Sequence, residues 1–141
     1  MSKRILVPLD QTAEAERIVP VIADTARGAG ATVRLLHVAA VPEAIVHHGR
    51  VIAYADQETS RLEAEARDYL SVIELAFTGV PVEVAVRYGD PVTAILEEAE
   101  EFGADLIAVT TGSRRAFRPI GRVADQLLKR APMPVMTYRA R

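Results

Sequence analysis

The stretch GDPVTAILEEAEEFGADLIAVTT, residues 89–111, holds one complete helix and the strand that follows it. Asp90 and Pro91 signal the start of the helix, because aspartate caps free amides and proline fits the first turn. Apolar residues then recur at spacings of three and four, which predicts one buried face, and Gly103 ends the helix. The continuously apolar run at residues 105–111 is typical of a buried strand.

The same alternation of apolar runs and helical stripes continues along the rest of the chain. Further strands are predicted at residues 5–9, 32–41, 82–86 and 134–138. Further helices are predicted from Thr12 to Gly28 with a bend at Pro20, over residues 56–76, and from about Gly121 onward. Strand–helix–strand units of this kind form a parallel sheet with helices on both faces. We therefore predict a single α/β domain over residues 1–141.

Composition narrows the classes of function. The chain has 141 residues and a formal net charge of −2, which gives no electrostatic argument for nucleic acid. It contains no cysteine, so neither a disulfide framework nor a thiolate metal site is expected. Its apolar runs are far shorter than the ~20 residues of a membrane helix, and its start does not resemble a signal peptide. We expect a cytoplasmic protein with no membrane or nucleic-acid partner.

Catalytic and metal-binding patterns find little support in the residues. No serine lies in a G-x-S-x-G elbow, and no GK[ST] phosphate loop occurs. His37 is expected to be a hydrogen-bonded side chain at the edge of the core, whereas His47 and His48 are adjacent, so their side chains diverge. The acidic run EEAEE, residues 97–101, is expected on the solvent side of its helix. We expect no metal site and, at most, weak nucleotide hydrolysis.

The loop TTGSRRAFRPIGRVAD, residues 110–125, joins a predicted strand to a predicted helix. Ligands of open α/β sheets bind beyond the carboxyl ends of the strands, and this loop leaves one of those ends. It places four arginines beside a helix N-terminus: Arg114, Arg115, Arg118 and Arg122. Any bound anion is expected to contact these arginines and the amides of residues 121–123. The alternative is a solvated loop, or one that meets acidic residues of a partner.

Four segments resemble the universal stress protein family and together cover nearly the whole chain. They are ILVPLD at residues 5–10, LLHV at 35–38, GDPVTAILEEAEEFGADLIAV at 89–109 and APMPV at 131–135. The resemblance implies a Rossmann-like fold, similar to the adenine nucleotide alpha hydrolases, with five parallel strands in the order 3-2-1-4-5. It also implies a homodimer and a stress-linked regulatory role rather than a defined catalytic one.

Many members of that family bind ATP or AMP through a signature between strand four and helix four. The signature is Gly, two residues, Gly, nine residues, Gly, then Ser or Thr. Gly112 and Gly121 match two positions, whereas Arg115 and Arg122 replace the second glycine and the final hydroxyl residue. Five residues separate Arg115 from Gly121, so the loop is four residues short. Because arginine obstructs the close backbone approach that glycine permits, we expect weak or absent ATP binding of the family's kind.

The resemblance also places Pro8, Asp10 and Val38 in a crevice that contacts adenosine in the family. Their alternative roles are strand packing for Pro8 and Val38, and helix capping or turn closure for Asp10. Gly112 and Gly121 either contact a ligand or only allow the backbone to turn tightly. In the second case Gly112 permits a sharp exit from the strand and Gly121 lets the helix start close to the sheet. ATP or AMP is the candidate cofactor, and the full set of candidate ligand-binding residues is Pro8, Asp10, Val38, Thr111, Gly112, Arg114, Arg115, Arg118, Gly121, Arg122 and Val123.

Two functions of different classes remain open. In one, the protein is a regulator that senses a nucleotide or another anion at the strand-four loop. In the other, it has lost ATP binding and acts as a ligand-free interaction module, through its dimer surface or through residues 42–56. The last strand is short, lies at a predicted sheet edge and carries Val135, Met136 and Tyr138. We expect this edge to pair with a second copy of the chain.

Overall fold

A parallel five-stranded sheet organises the computed structural model, which describes residues 3–40, 45–47, 50–53, 55–111 and 119–139. The elements in chain order are β1 (Arg4–Pro8), α1 (Ala13–Glu16), α2 (Val19–Ala29), β2 (Thr32–Ala39), β3 (Ile45–His47), β4 (Arg50–Ala53), α3 (Ala55–Glu74), β5 (Val82–Tyr88), α4 (Pro91–Phe102), β6 (Leu106–Thr111), α5 (Pro119–Arg130) and β7 (Val135–Arg139). The main sheet has the order β5-β2-β1-β6-β7, and all its neighbours are parallel. Among its own five strands this is the order 3-2-1-4-5, which confirms the prediction.

The main sheet is covered on both faces, because successive side chains of a strand point in opposite directions. On one face, Val33 and Leu35 of β2 pack in a cluster with apolar residues of α1, α2 and α3. On the other face, Leu6 and Leu36 pack with apolar residues of α4 and α5. The four side chains are each fully buried. This two-sided burial is why the strands are apolar almost throughout.

The predicted first helix is two helices, which corrects the expected bend at Pro20. α1 stops at Glu16, and Pro20 lies in the first turn of α2, where its missing N–H breaks no hydrogen bond. The predicted stop at Gly28 is also wrong, because α2 continues to Ala29. Gly30 caps α2 in the left-handed conformation, with φ at 66°, which glycine adopts without strain.

The helix α4 matches its prediction at both ends. The Asp90 side chain accepts a hydrogen bond from the amide of Thr93 over 2.9 Å, and Pro91 occupies the first turn. Gly103 forms the C-cap with φ at 71°. In the described ranges, no helix is both long enough and apolar enough to cross a bilayer.

A small antiparallel hairpin lies within residues 42–56, where the sequence predicted neither a strand nor the turn of a hairpin. β3 pairs with β4, and His47 stands opposite Arg50 in their register. The hairpin forms its own two-stranded sheet, separate from the main one. His48 lies outside the described residues.

The acidic run of α4 is not confined to solvent, which corrects a second expectation. Glu98 is only 5% exposed and points at the sheet, where Arg34 of β2 and Arg87 of β5 donate hydrogen bonds of 2.5 and 2.6 Å to its carboxylate. Burial alone would raise the pKa of Glu98, but these hydrogen bonds outweigh it and hold the pKa below its ordinary value. The two arginines also pair with three exposed carboxylates: Glu83, Glu97 and Glu101. We call these six residues the Glu98 cluster.

Candidate functional site

A cleft opens at the carboxyl ends of β1 and β2, beneath the first turns of α4 and α5. It contains about 420 Å³ of empty space, part of which is open to solvent at its mouth. Its lining consists of Pro8, Leu9, Asp10, Leu36, Val38, Pro91, Ile95 and Val123. Of these eight residues only Asp10 is charged, so the cleft is suited to a flat apolar group with a polar attachment.

Parallel pairing brings the two strand ends of the cleft together. Pro8 stands opposite Leu36 in the register of β1 and β2. The amide of Leu9 extends this ladder by donating to the carbonyl of Leu36 over 2.8 Å. Leu36 and Val38 then point to the same face, because they are two residues apart on one strand. Pro91 and Ile95 are four residues apart on α4 and close the cleft from above.

Asp10 closes the turn after β1. Turn closure was one of the two roles that the sequence left open for Asp10 besides a ligand contact. Its Oδ1 atom accepts hydrogen bonds from the amide of Thr12 over 3.1 Å and from the hydroxyl of Thr12 over 2.6 Å. The Thr12 hydroxyl oxygen accepts in turn from the amide of Ala15 over 3.1 Å and so caps α1. The described residues supply no donor to the second carboxylate oxygen of Asp10. That oxygen remains available to a hydroxyl or amine of a ligand.

The start of α5 lies earlier than the sequence predicted. The helix begins at Pro119, two residues before Gly121. Since the amide of residue i in an α-helix bonds to the carbonyl of residue i−4, the Val123 amide is engaged inside the helix. This corrects the expectation for Val123, whereas Gly121, another of the three amides expected to face an anion, lies in the first turn. The free amides of the first turn belong to Ile120 and Gly121, because proline has none.

The structure brings together part of the predicted set. Pro8, Asp10, Val38 and Val123 all line the cleft. Thr111 is the half-buried last residue of β6, Gly121 lies in the first turn of α5, and Arg122 is exposed on that helix. Gly112, Arg114, Arg115 and Arg118 lie outside the described residues.

Four cleft residues are absent from the sequence-based set: Leu9, Leu36, Pro91 and Ile95. For two of them, Leu36 and Ile95, the spacing in the sequence indicates a position in the cleft. Leu36 is two residues before Val38 and shares its face of β2, and Ile95 lies one helical turn after Pro91. Apolar residues give no chemical reason to separate a ligand contact from ordinary packing, which is why the pattern alone did not identify them.

His37 is satisfied at the edge of the core, as expected. Its Nδ1 atom donates to the carbonyl of Leu9 over 2.9 Å, which fixes the proton on that nitrogen in the neutral ring. Its Nε2 atom lies 3.5 Å from the side-chain nitrogen of Gln11. Within the part of the chain that the structure describes, no group of three or more histidines and carboxylates is placed to hold a metal ion.

The sheet order and the strand-end cleft define a Rossmann-like α/β domain, the class that binds ligands at the carboxyl edge of its sheet. The model of the universal stress protein family matches residues 1–139. The chain therefore belongs to the universal stress protein family. A comparison with curated proteins found no match.

Solved structures share the fold over almost the whole chain. The hypothetical protein MJ0577 is 26% identical, with a TM-score of 0.79, and the match covers 100% of this chain and 98% of that one. A universal stress protein in complex with cAMP is 20% identical, with a TM-score of 0.69 and coverage of 99% and 98%. The universal stress protein from Archaeoglobus fulgidus in complex with dAMP is 19% identical, with a TM-score of 0.62 and coverage of 97% of each chain.

Proposed function

We propose that the protein is a cytoplasmic stress-response regulator that senses an adenine nucleotide, AMP or ATP, in the cleft at the carboxyl ends of β1 and β2. The observation that carries this proposal is the pairing of an apolar cleft with one available carboxylate oxygen, on Asp10. A nucleoside has the matching parts: a flat base that gains from leaving water and a sugar with hydroxyl donors.

The walls of the cleft favour a planar ring over a charged group. Among the lining residues, Leu36 and Ile95 are fully or almost fully buried, and Val123 is 8% exposed. An unpaired charge against these walls would lose its hydration without compensation. The phosphates of a nucleotide must therefore lie outside the cleft, toward the start of α5.

Two solved relatives in fold support an adenine nucleotide, since one is in complex with cAMP and the other with dAMP. The loop of this chain differs from the family signature at Arg115 and Arg122 and in its length. We propose that the phosphates are held by guanidinium groups of Arg114, Arg115, Arg118 or Arg122, together with the amides of the first turn of α5. ATP binding through a glycine-lined backbone cradle is expected to be weak or absent.

A regulatory role fits the cleft better than a catalytic one. Among its eight lining residues only Asp10 can exchange a proton, and one of its oxygens already accepts two hydrogen bonds from Thr12. General acid–base catalysis needs a group that is poised to take or give a proton at the reacting atom. We propose no enzymatic activity beyond, at most, weak nucleotide hydrolysis.

Calorimetric titration of ATP, AMP and cAMP tests the proposal, with arginine variants to locate the phosphate. The double variant Arg115→Ala, Arg122→Ala should bind about tenfold more weakly or worse, since each charge-assisted hydrogen bond contributes roughly 1.5–3 kcal/mol. The double variant Arg17→Ala, Arg27→Ala loses the same charge at two exposed side chains and should bind as the wild type does. Micromolar ATP affinity that survives the first pair would defeat the arginine account and restore the ordinary mode of the family.

A second candidate function is a ligand-free dimeric interaction module, and the exposed edge of the sheet favours it. β7 is an edge strand, and its Val135, Met136 and Tyr138 are only half-buried. An edge of this kind can pair with the same edge of another copy across a two-fold axis. Sedimentation should then give a dimer, and deletion of residues 135–141 should abolish it. A particle of about 15 kDa at every accessible concentration would exclude the dimer.

A further inference from the structure

A strained turn follows β1 at the side of the cleft. Among the non-glycine residues that the structure describes, only Gln11 has a positive φ, at 65°. The left-handed conformation is costly for a residue with a Cβ atom, and glycine would adopt it freely. Strained residues persist where their surroundings fix them, and they concentrate at functional sites. Gln11 therefore needs an explanation beyond the course of the backbone.

The side chain of Gln11 meets a residue of the neighbouring strand. Its amide nitrogen lies 3.5 Å from Nε2 of His37, at the long limit of a hydrogen bond. Nδ1 of the same imidazole donates to the carbonyl of Leu9 over 2.9 Å. In that tautomer Nε2 is an acceptor, so it can receive the Gln11 amide proton. His37 thus joins residue 9 to residue 11, on the two sides of Asp10.

The far side of the turn fixes one oxygen of Asp10. Both the amide and the hydroxyl of Thr12 donate to Oδ1, and the Thr12 hydroxyl oxygen also caps α1 at Ala15. The carboxylate is therefore held from residue 12, while His37 and Gln11 hold the backbone that carries it. The Gln11 contact is exposed and long, so its contribution to overall stability is small.

We propose that Gln11 and His37 are a positioning pair, which keeps the Asp10 carboxylate in a fixed place at the cleft. The inference rests on the function proposed above, because a positioned carboxylate matters only if a ligand uses it. Neither side chain touches the ligand in this account. Both act through the turn at residues 9–12, and the strain at Gln11 is the cost of that geometry.

Hydrogen exchange at the Thr12 amide, followed by NMR without nucleotide, reports directly on the turn, because that amide bonds to Asp10. The variants are Gln11→Asn, His37→Ala and the double variant. Asparagine tolerates the left-handed conformation but is one methylene shorter, so it loses the reach to His37. Each single variant should speed Thr12 exchange about two- to tenfold. The double variant should exchange no faster than the faster single variant, because the two side chains act through one contact.

The amide of Thr93 is the internal control. It bonds to the Asp90 carboxylate over 2.9 Å in a similar cap, at the start of α4. Its exchange should not change in any of the three variants. Unchanged Thr12 exchange, additive effects in the double variant, or equal acceleration at Thr93 would each overturn the positioning pair.

Calorimetric titration with AMP separates this inference from the proposed function. If the wild type binds AMP, Gln11→Asn and His37→Ala should each bind it about two- to tenfold more weakly. AMP affinity that stays at the wild-type value while Thr12 exchange accelerates would overturn the role in positioning. If the wild type binds no AMP and Thr12 exchange still responds as expected, the proposed nucleotide function fails and the pair remains a structural brace.

Discussion

The face of the main sheet that packs against α4 has two different regions, one with paired charged side chains and one with an apolar cleft. β2 and α4 meet along this face. There the Glu98 cluster joins Arg34, near the amino end of β2, and Arg87, near the carboxyl end of β5, to a buried carboxylate. The centroid of the Phe102 ring lies 4.2 Å from the guanidinium carbon of Arg34, so the ring packs over one face of that cation. At the carboxyl end, the same two elements present Leu36 and Ile95 to an open cleft. The arginines are paired with carboxylates within the chain, whereas the apolar residues at the carboxyl end line an open cleft.

The difference shows that one set of contacts can hold α4 in place while a separate set of residues on the same helix lines the cleft. At the amino end, Arg4 donates to the carbonyl of Phe102 over 2.9 Å, at the C-terminus of α4, while Glu98 ties the helix to β2 and β5. Fixing this half of α4 also fixes Pro91 and Ile95 in its first turns, since a helix of twelve residues moves as one body. The charges therefore act on stability, and the apolar end holds the cleft that we propose for ligand binding.

Removal of the central charge of the Glu98 cluster should have the largest effect. Glu98→Gln leaves Arg34 and Arg87 without their buried partner and should lower the free energy of unfolding by about 2–3 kcal/mol. This is below the usual cost of a broken buried pair, because both arginines keep exposed partners. Urea denaturation measures it. Glu97→Gln, at a 59% exposed side chain of the same network, should change stability by less than about 0.5 kcal/mol.

Acid should lower the contribution of the Glu98 carboxylate to the free energy of unfolding. The pKa of Glu98 is lowered in the folded protein, so its contribution to stability is complete above the unfolded pKa of about 4.3. That contribution is lost as the pH falls through the lower folded pKa, at about 1.4 kcal/mol for each unit of lowering. Denaturation at pH 7 and pH 3 should show a larger acid loss for the wild type than for Glu98→Gln. Equal losses in the two proteins would contradict the role of this carboxylate.

The cap of α4 should give a smaller effect. Gly103 has φ at 71°, and a Cβ atom added there would lie 3.1 Å from Nη1 of Arg4. Gly103→Ala should therefore destabilise the protein by about 1 kcal/mol, partly through strain and partly through displacement of Arg4 from the helix end. Gly28→Ala is the matched control, because Gly28 is inside α2 with open space around it. Alanine favours helices, so that variant should be as stable as the wild type or more so.

The fold could be predicted from the sequence because several local signals agreed. The cap at Asp90, the stop at Gly103 and the apolar strands each pointed to the same alternation of elements. Pro20 was misjudged because proline suits both a bent helix and the first turn of a new one. Sequence spacing does not separate these two outcomes, which depend on whether α1 and α2 can share an axis against the sheet.

The lining of the cleft could be predicted where the family resemblance or the loop marked a residue, as at Pro8, Asp10, Val38 and Val123, and not where a residue only continued an apolar pattern. Asp10 follows a strand end, and the family resemblance marked that position as a ligand contact. Glu98 was assigned to solvent because it belongs to a run of acidic residues. Yet it lies three residues after Ile95, on the apolar face of α4, and faces arginines on two strands. The missing information was that those arginines, far apart in sequence, meet at one place on the sheet.

Titration of AMP into a variant with a filled cleft tests the central claim most directly. Val38→Phe places an aromatic ring among the apolar residues that line the cleft, whereas Val72→Phe places the same ring on α3, at a side chain that is 65% exposed. The nucleotide account predicts that the wild type and Val72→Phe bind AMP equally, and that Val38→Phe binds it at least about tenfold more weakly. Equal affinity in all three proteins, or no heat from any of them, would contradict it.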